Sequence, residues 1–100
     1  MWTVEFESMK VQKEVEKLKA SGEISESEQK LIAAWIRQVQ HHGPESVQGR
    51  GFWDDHALDH EWSGYRASCF GPRGRIIYRI EGEVVKVKIA RVTNKHNYRK

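Results

Sequence analysis

The sequence predicts an α+β domain in the order β-α-α-β-β-β, with an antiparallel helix hairpin packed on one face of a four-stranded, mainly antiparallel sheet. Three observations point there. Two stretches of helical period follow one another, carried first by Val11, Val15 and Leu18, then by Leu31, Ile32, Trp35, Ile36 and Val39. Period-two alternation opens the chain at Trp2–Phe6 and returns from Tyr65 onward. Turn signals at Gly71-Pro72-Arg73-Gly74 and Glu81-Gly82 then divide the last region into three strands. A length of 100 residues suits one domain, residues 1–100, with a single modest core.

Each element has its own local reason. The stretch "WTVEF" is aromatic and β-branched, as strands are. Ser8 is placed to cap the first helix, and Ser21-Gly22 to stop it, with Gly22 free to take a positive φ. Ser25 with Glu28 three residues later forms a capping box for the second helix, which Gly43-Pro44 ends. The link between the helices is short, so they return antiparallel. About twenty residues from Glu45 to Gly64 then lack a period, a length that in a compact domain points to function or disorder. Phe52, Trp53, Leu58 and Trp62 argue against disorder. Asp54, Asp55, His56, Asp59, His60 and Glu61 argue against a core, so a surface loop held by its aromatics is expected.

Composition narrows the class. The chain is 38% hydrophobic and 31% charged with a net charge of +3, as a soluble globular domain is. No stretch approaches the roughly 20 apolar residues of a spanning helix, and "MWTVEFESMK" lacks a signal-peptide pattern. A lone Cys69 has no internal disulfide partner, which suits a reducing cytoplasm. No metal or cofactor is expected: His41-His42 suits a helix C-terminus, and His56 and His60 sit on a loop without the helix that aligns a His-x3-His pair. Alternation places Ile76, Tyr78 and Ile80 on one face of the sheet with Val85, Val87 and Ile89. Arg75, Arg79, Lys86 and Lys88 then fall on the other, expected as an open basic surface.

Four motifs appear in order: D-H-x-L at Asp55–Leu58, W-x-G-Y-R at Trp62–Arg66, R-I-I-Y-R at Arg75–Arg79, and His96-x-Tyr98. Together with the element order they resemble the RelE/ParE toxin superfamily, in particular its YafQ- and YoeB-like mRNA interferases. The layout resembles the family over nearly the whole chain, while the motifs run from Asp55 to Tyr98. The resemblance implies a RelE-like fold and a toxin of a toxin–antitoxin pair. Such a toxin cuts mRNA in the ribosomal A site without a metal, using the ribose 2′-hydroxyl as nucleophile. His56 then matches the general base, Arg75 the arginine that holds the phosphate, and His96 the general acid or an aid to phosphate charge. Arg66, Arg73, Arg79, Lys86, Lys88 and Tyr98 are the accompanying RNA- or phosphate-binding candidates, with Tyr98 suited to stacking on a base.

The chain also departs from the YafQ pattern. Cys69 stands where relatives carry a second histidine, and Arg73 and Gly74 where they carry an acid and a tryptophan. This implies a leaner site of one base, arginines and the terminal histidine. The partners implied are a cognate antitoxin, the message, and the RNA of the ribosomal A site. Neither a membrane nor direct DNA binding is implied. Two rival readings share the fold: a ParE-like inhibitor of DNA gyrase, and an inactive RNA-binding member of the superfamily.

Overall fold

Ser8 and Ser25 set where the helices begin, and the computed structural model, which describes residues 1–91, has both caps made. Helix α1 runs Met9–Ala20, and Ser8 Oγ accepts from Val11 N at 3.1 Å. Helix α2 runs Glu26–His42 behind a complete capping box, with Ser25 N donating to Glu28 Oε1 at 2.9 Å and Glu28 N to Ser25 Oγ at 3.2 Å. Such a box satisfies two backbone donors that the first turn would otherwise leave bare. Gly43, at φ 85°, ends the helix ahead of Pro44. No helix among the described residues is long and apolar enough to cross a membrane.

The sheet has five strands, one more than the sequence led us to expect. They are β1 (Thr3–Phe6), β2 (His56–Ala57), β3 (Arg66–Phe70), β4 (Gly74–Glu81) and β5 (Val84–Arg91), in the spatial order β1-β5-β4-β3-β2. The extra strand is the two-residue β2, which pairs antiparallel with β3 through His56↔Ala67 and Ala57↔Arg66. Two residues are too few to show alternation, so the element is visible only through its partner. Strands β3, β4 and β5 form the expected antiparallel meander, while β1 lies parallel to β5 with Phe6 opposite Val87. The first turn of the meander differs in detail. Gly74 is already a strand residue paired with Phe70, leaving Gly71, Pro72 and Arg73 as the connection. Gly74 must lack a side chain, because a Cβ there would run into the Phe70 ring.

One face of the sheet packs under the helices. Ile76, Tyr78, Val85, Val87 and Ile89 meet Val11, Val15, Ile32, Trp35 and Val39 in the main core. Trp35 stands edge-on to Tyr78, with ring centroids 5.2 Å apart.

The other face is not the open basic surface its alternation suggested. The chain between β2 and β3 folds back over it, and Trp62 packs on Ala67 and Ile77 with Leu58, Tyr65 and Ala90 around them. Burial of these aromatics outweighs solvation of the strand because a large ring removes far more apolar surface than its neighbours' charges need. The cations are arranged about this lid. Lys88 Nζ lies over the Trp62 ring and Arg79 over the Tyr65 ring, each 5.9 Å from the centroid. Arg79 also pairs with Glu7 and Glu81, and Lys86 Nζ donates to Glu5 Oε1 at 2.6 Å. Tyr65 OH donates to Glu7 Oε1 at 2.8 Å and closes the lid at its far end.

Candidate active site

The loop that carries His56 is fixed by its neighbour Asp55. Although acidic, Asp55 is only 2% exposed, against the sequence expectation of a wholly surface loop. Its carboxylate accepts from Arg66 Nε at 2.7 Å, Ser68 Oγ at 2.5 Å and Tyr78 OH at 2.7 Å. Ser68 in turn accepts from Trp35 Nε1 at 2.9 Å, so the network ties the loop to β3, β4 and α2. A charge can be buried when donors surround it as they do here. Arg66 is thereby committed to Asp55 and, being opposite Tyr78 in register, lies on the helix side of the sheet. This separates it from the phosphate-binding candidates on the other face. Burial, reinforced by the Asp55 hydrogen bond, pushes the Tyr78 phenol well above its ordinary range.

Asp54 turns the opposite way. It takes the left-handed backbone conformation, with φ 44°. Its carbonyl oxygen lies 3.1 Å from His56 Nδ1 and 3.8 Å from Cys69 Sγ. A carbonyl only accepts, so the contact selects the tautomer with the proton on Nδ1 and leaves a lone pair on Nε2. The Asp54 carboxylate pairs with Arg50 Nη1 at 2.7 Å. That hydrogen bond holds the Asp54 pKa below the usual carboxylate range, with His56 and Arg75 acting in the same direction.

Arg75 completes the corner. It faces Cys69 across β3–β4, on the same side of the sheet as Ala67 and hence as His56. Here too the open-surface expectation is corrected, since Arg75 is only 8% exposed. One guanidinium nitrogen, Nη1, donates to Gly74 O at 2.8 Å. The buried Nε has no hydrogen-bond partner among the described residues. A buried N–H without a partner carries its full desolvation cost, and an anionic oxygen is the acceptor that offsets it best. Burial raises the Cys69 thiol above its ordinary range, which leaves it a neutral side chain rather than a thiolate nucleophile.

The structure thus brings His56, Asp54, Cys69 and Arg75 to one corner. Arg73 is exposed in the adjoining turn, while Arg79, Lys86 and Lys88 sit at the lid and its edge. His96 and Tyr98 lie outside the described residues; the described chain ends at Arg91, registered opposite Gly74 and so beside Arg75. Among the described residues no group of three or more His, Cys, Asp or Glu side chains is placed to hold a metal ion. Sequence reasoning missed the backbone role of Asp54 and the exposed Phe52. The only signal for the first was that two acids precede a histidine.

Fold and corner together define an α+β domain with a polar corner where β2, β3 and β4 meet. No protein-family model and no curated protein sequence matches the chain. Solved structures do. YafQ from E. coli strain BL21(DE3) superposes with a TM-score of 0.61 at 18% identity, covering 91% of this chain and 93% of its own. YoeB in its complex with YefM from Staphylococcus aureus gives 0.67 at 13% identity, covering 94% and 99%. The YoeB/ParE toxin from Agrobacterium tumefaciens gives 0.67 at 14%, covering 92% and 99%. The fold expected from the sequence motifs is therefore the fold the chain has.

Proposed function

We propose that the chain is the toxin of a toxin–antitoxin pair and a metal-independent endoribonuclease, acting in the cytoplasm on mRNA in the ribosomal A site. The observation that carries this reading is His56 with Nδ1 on the Asp54 carbonyl, in one corner with an Arg75 whose buried Nε has no acceptor among the described residues. A free imidazole nitrogen takes the proton of a ribose 2′-hydroxyl as its oxygen attacks the adjacent phosphorus. Arg75 neutralises the charge that grows on the phosphate oxygens. The bond to the 5′-oxygen then breaks, and that oxygen takes a proton from His96. The products are a 2′,3′-cyclic phosphate and a 5′-hydroxyl, and no metal or cofactor enters. Arg73, exposed beside this corner, contacts the message or ribosomal RNA, and Tyr98 stacks on a base.

The fold neighbours support the wider setting. YafQ has been solved in complex with DinJ, and YoeB with YefM as a toxin–antitoxin assembly. By analogy this chain takes a cognate antitoxin that silences it. Primer extension on a reporter message in translating ribosomes tests the reading. Cuts in the A-site codon are expected from the intact chain and are lost on His56→Ala, Arg75→Ala and His96→Ala. Intact message alongside growth arrest sinks the nuclease and moves the target to a protein such as DNA gyrase.

A further inference from the structure

Phe52 is 78% exposed, an unusual position for a phenylalanine next to a cluster of charges. A single apolar side chain at a surface needs no explanation in itself. What sets Phe52 apart is how firmly its loop is held. It stands edge-on to Trp53, with centroids 4.9 Å apart and planes at 84°. Trp53 is 5% exposed, and its Nε1 donates to Gln38 Oε1 at 3.1 Å, so the supporting ring is anchored to α2. The backbone is held on both sides. Cys69 N donates to Trp53 O at 2.7 Å, Asp54 N to Gly51 O at 3.1 Å, and Asp55 N to Gly49 O at 2.8 Å. Four residues on from Phe52, His56 is held by the Asp54 carbonyl. Arg50, also exposed, pairs with the Asp54 carboxylate on the same short loop.

We infer that Phe52 is a stacking platform for a nucleobase of the message, next to the nucleotide whose phosphate Arg75 engages. The inference rests on the ribonuclease reading above and adds to it the residue that grips the base. An unpaired base offers an apolar face to an exposed aromatic ring, and a phenylalanine has only two side-chain torsions to lose on stacking. A face-on contact reads no hydrogen-bond edge, so Phe52 sets strength and position of cutting more than base identity. The occupant is RNA because the ring shares its loop with His56, and the bond from Cys69 N to Trp53 O seats that loop on the strand residue that faces Arg75.

The test uses ribosomes programmed with a short message in which the A-site codon carries 2-aminopurine at each of its three positions in turn. A 2′-deoxy substitution at the cut nucleotide removes the nucleophile, so binding is read without cleavage. The intact chain is expected to quench the fluorescence at one position. Phe52→Ala and Phe52→Leu lose that quench and bind roughly tenfold more weakly, whereas Phe52→Trp keeps both. Leucine is the discriminating variant, being apolar and similar in bulk but without a π-face. Circular dichroism is expected to be unchanged in all three, since the side chain is exposed.

If the intact chain cuts unmodified message yet Phe52→Leu behaves like it, or no position is quenched, the platform is refuted and the nuclease stands. If Phe52→Ala cuts normally but binds the antitoxin more weakly, the ring belongs to a protein interface and the platform is refuted in that way. If the intact chain cuts no message at all, both readings fall together.

Discussion

Asp55→Ala removes the acceptor of three hydrogen bonds in one step. The side chain of Asp55 is fully buried, while its partner Arg66 is 30% exposed at the side chain, so the pair is shielded from water on the Asp55 side. Removing one member of a buried ion pair costs about 3–5 kcal/mol, because the other charge is left uncompensated. The Ser68 and Tyr78 hydroxyls lose an acceptor as well, at about 1–3 kcal/mol for each that finds no other. Arg66 can swing towards water, and Ser68 still accepts from Trp35, so these costs overlap rather than add. A loss of about 4 kcal/mol is expected, against a total stability of roughly 5–15 kcal/mol for a domain of this size. Urea unfolding followed by tryptophan fluorescence reads this directly. With a slope of about 1.5 kcal/mol per molar, the midpoint falls by about 2–3 M. Asp55→Asn keeps the volume and an accepting oxygen for the two hydroxyls but turns an amide donor towards Arg66, so about half the loss is expected. An Asp55→Ala midpoint within about 0.5 M of the parent, a difference under about 1 kcal/mol, refutes the claim that this carboxylate locks the loop.

Three further outcomes follow from other parts of the fold. The folded Tyr78 phenol ionises at higher pH than an unfolded one, so above about pH 10 the unfolded chain releases protons that the folded chain keeps. Stability is therefore fully present below pH 10 and falls as pH rises through the folded value. Tyr78→Phe flattens that alkaline limb in urea titrations at stepped pH, and an unchanged limb refutes the assignment. Gly74→Ala forces its new Cβ into the Phe70 ring and costs about 1–3 kcal/mol, of which Phe70→Leu in the same chain recovers part. Strictly additive losses in that double-mutant cycle exclude the clash. Trp62→Ala strips the lid from Ala67 and Ile77, lowering stability by about 3 kcal/mol and raising binding of an apolar fluorescent dye. Parental dye binding counts against the lid.

What the sequence disclosed was local. Ser8, the Ser25–Glu28 box and Gly43-Pro44 each act within a few residues and did what their chemistry predicts, while the last hairpin turns one residue later than expected, at Gly82-Glu83, with Glu81 still paired to Val84. The helix-facing side of the sheet was legible for the same reason, since alternation is a property of consecutive residues. The other side was not. Arg75, Arg79, Lys86 and Lys88 share the predicted face, but whether that face meets water depends on where Trp62 folds, and no local pattern states that. Asp55 was unreadable on similar grounds. Its donors come from positions 11, 13 and 23 residues away, and an acid among acids reads as surface until those donors are in place. Arg66 stood beside Tyr65 in a motif suggestive of RNA contact, and only the register of β3 against β4 showed which way it points.

The two adjacent acids explain how a short loop holds a histidine in position. Asp55 points inward and binds three donors, while Asp54, one residue earlier, is bent into a positive φ that turns its carbonyl outward to His56. The inward grip over-determines the backbone and so sustains the strained outward turn, which costs on the order of 1 kcal/mol for a non-glycine residue. Strand β3 repeats the division, with Arg66 and Ser68 facing Asp55 and with Ala67 and Cys69 facing the His56–Arg75 corner. Stability and the site are thus built from alternate residues of the same segments. Loosening the grip should therefore misplace the histidine before it unfolds the domain. Asp55→Asn, at a temperature where it remains folded, is expected to lose message cleavage by tenfold or more, in line with the large rate cost of small misplacements. Full cleavage by a folded Asp55→Asn chain means that the outward turn of Asp54 stands without the inward anchor.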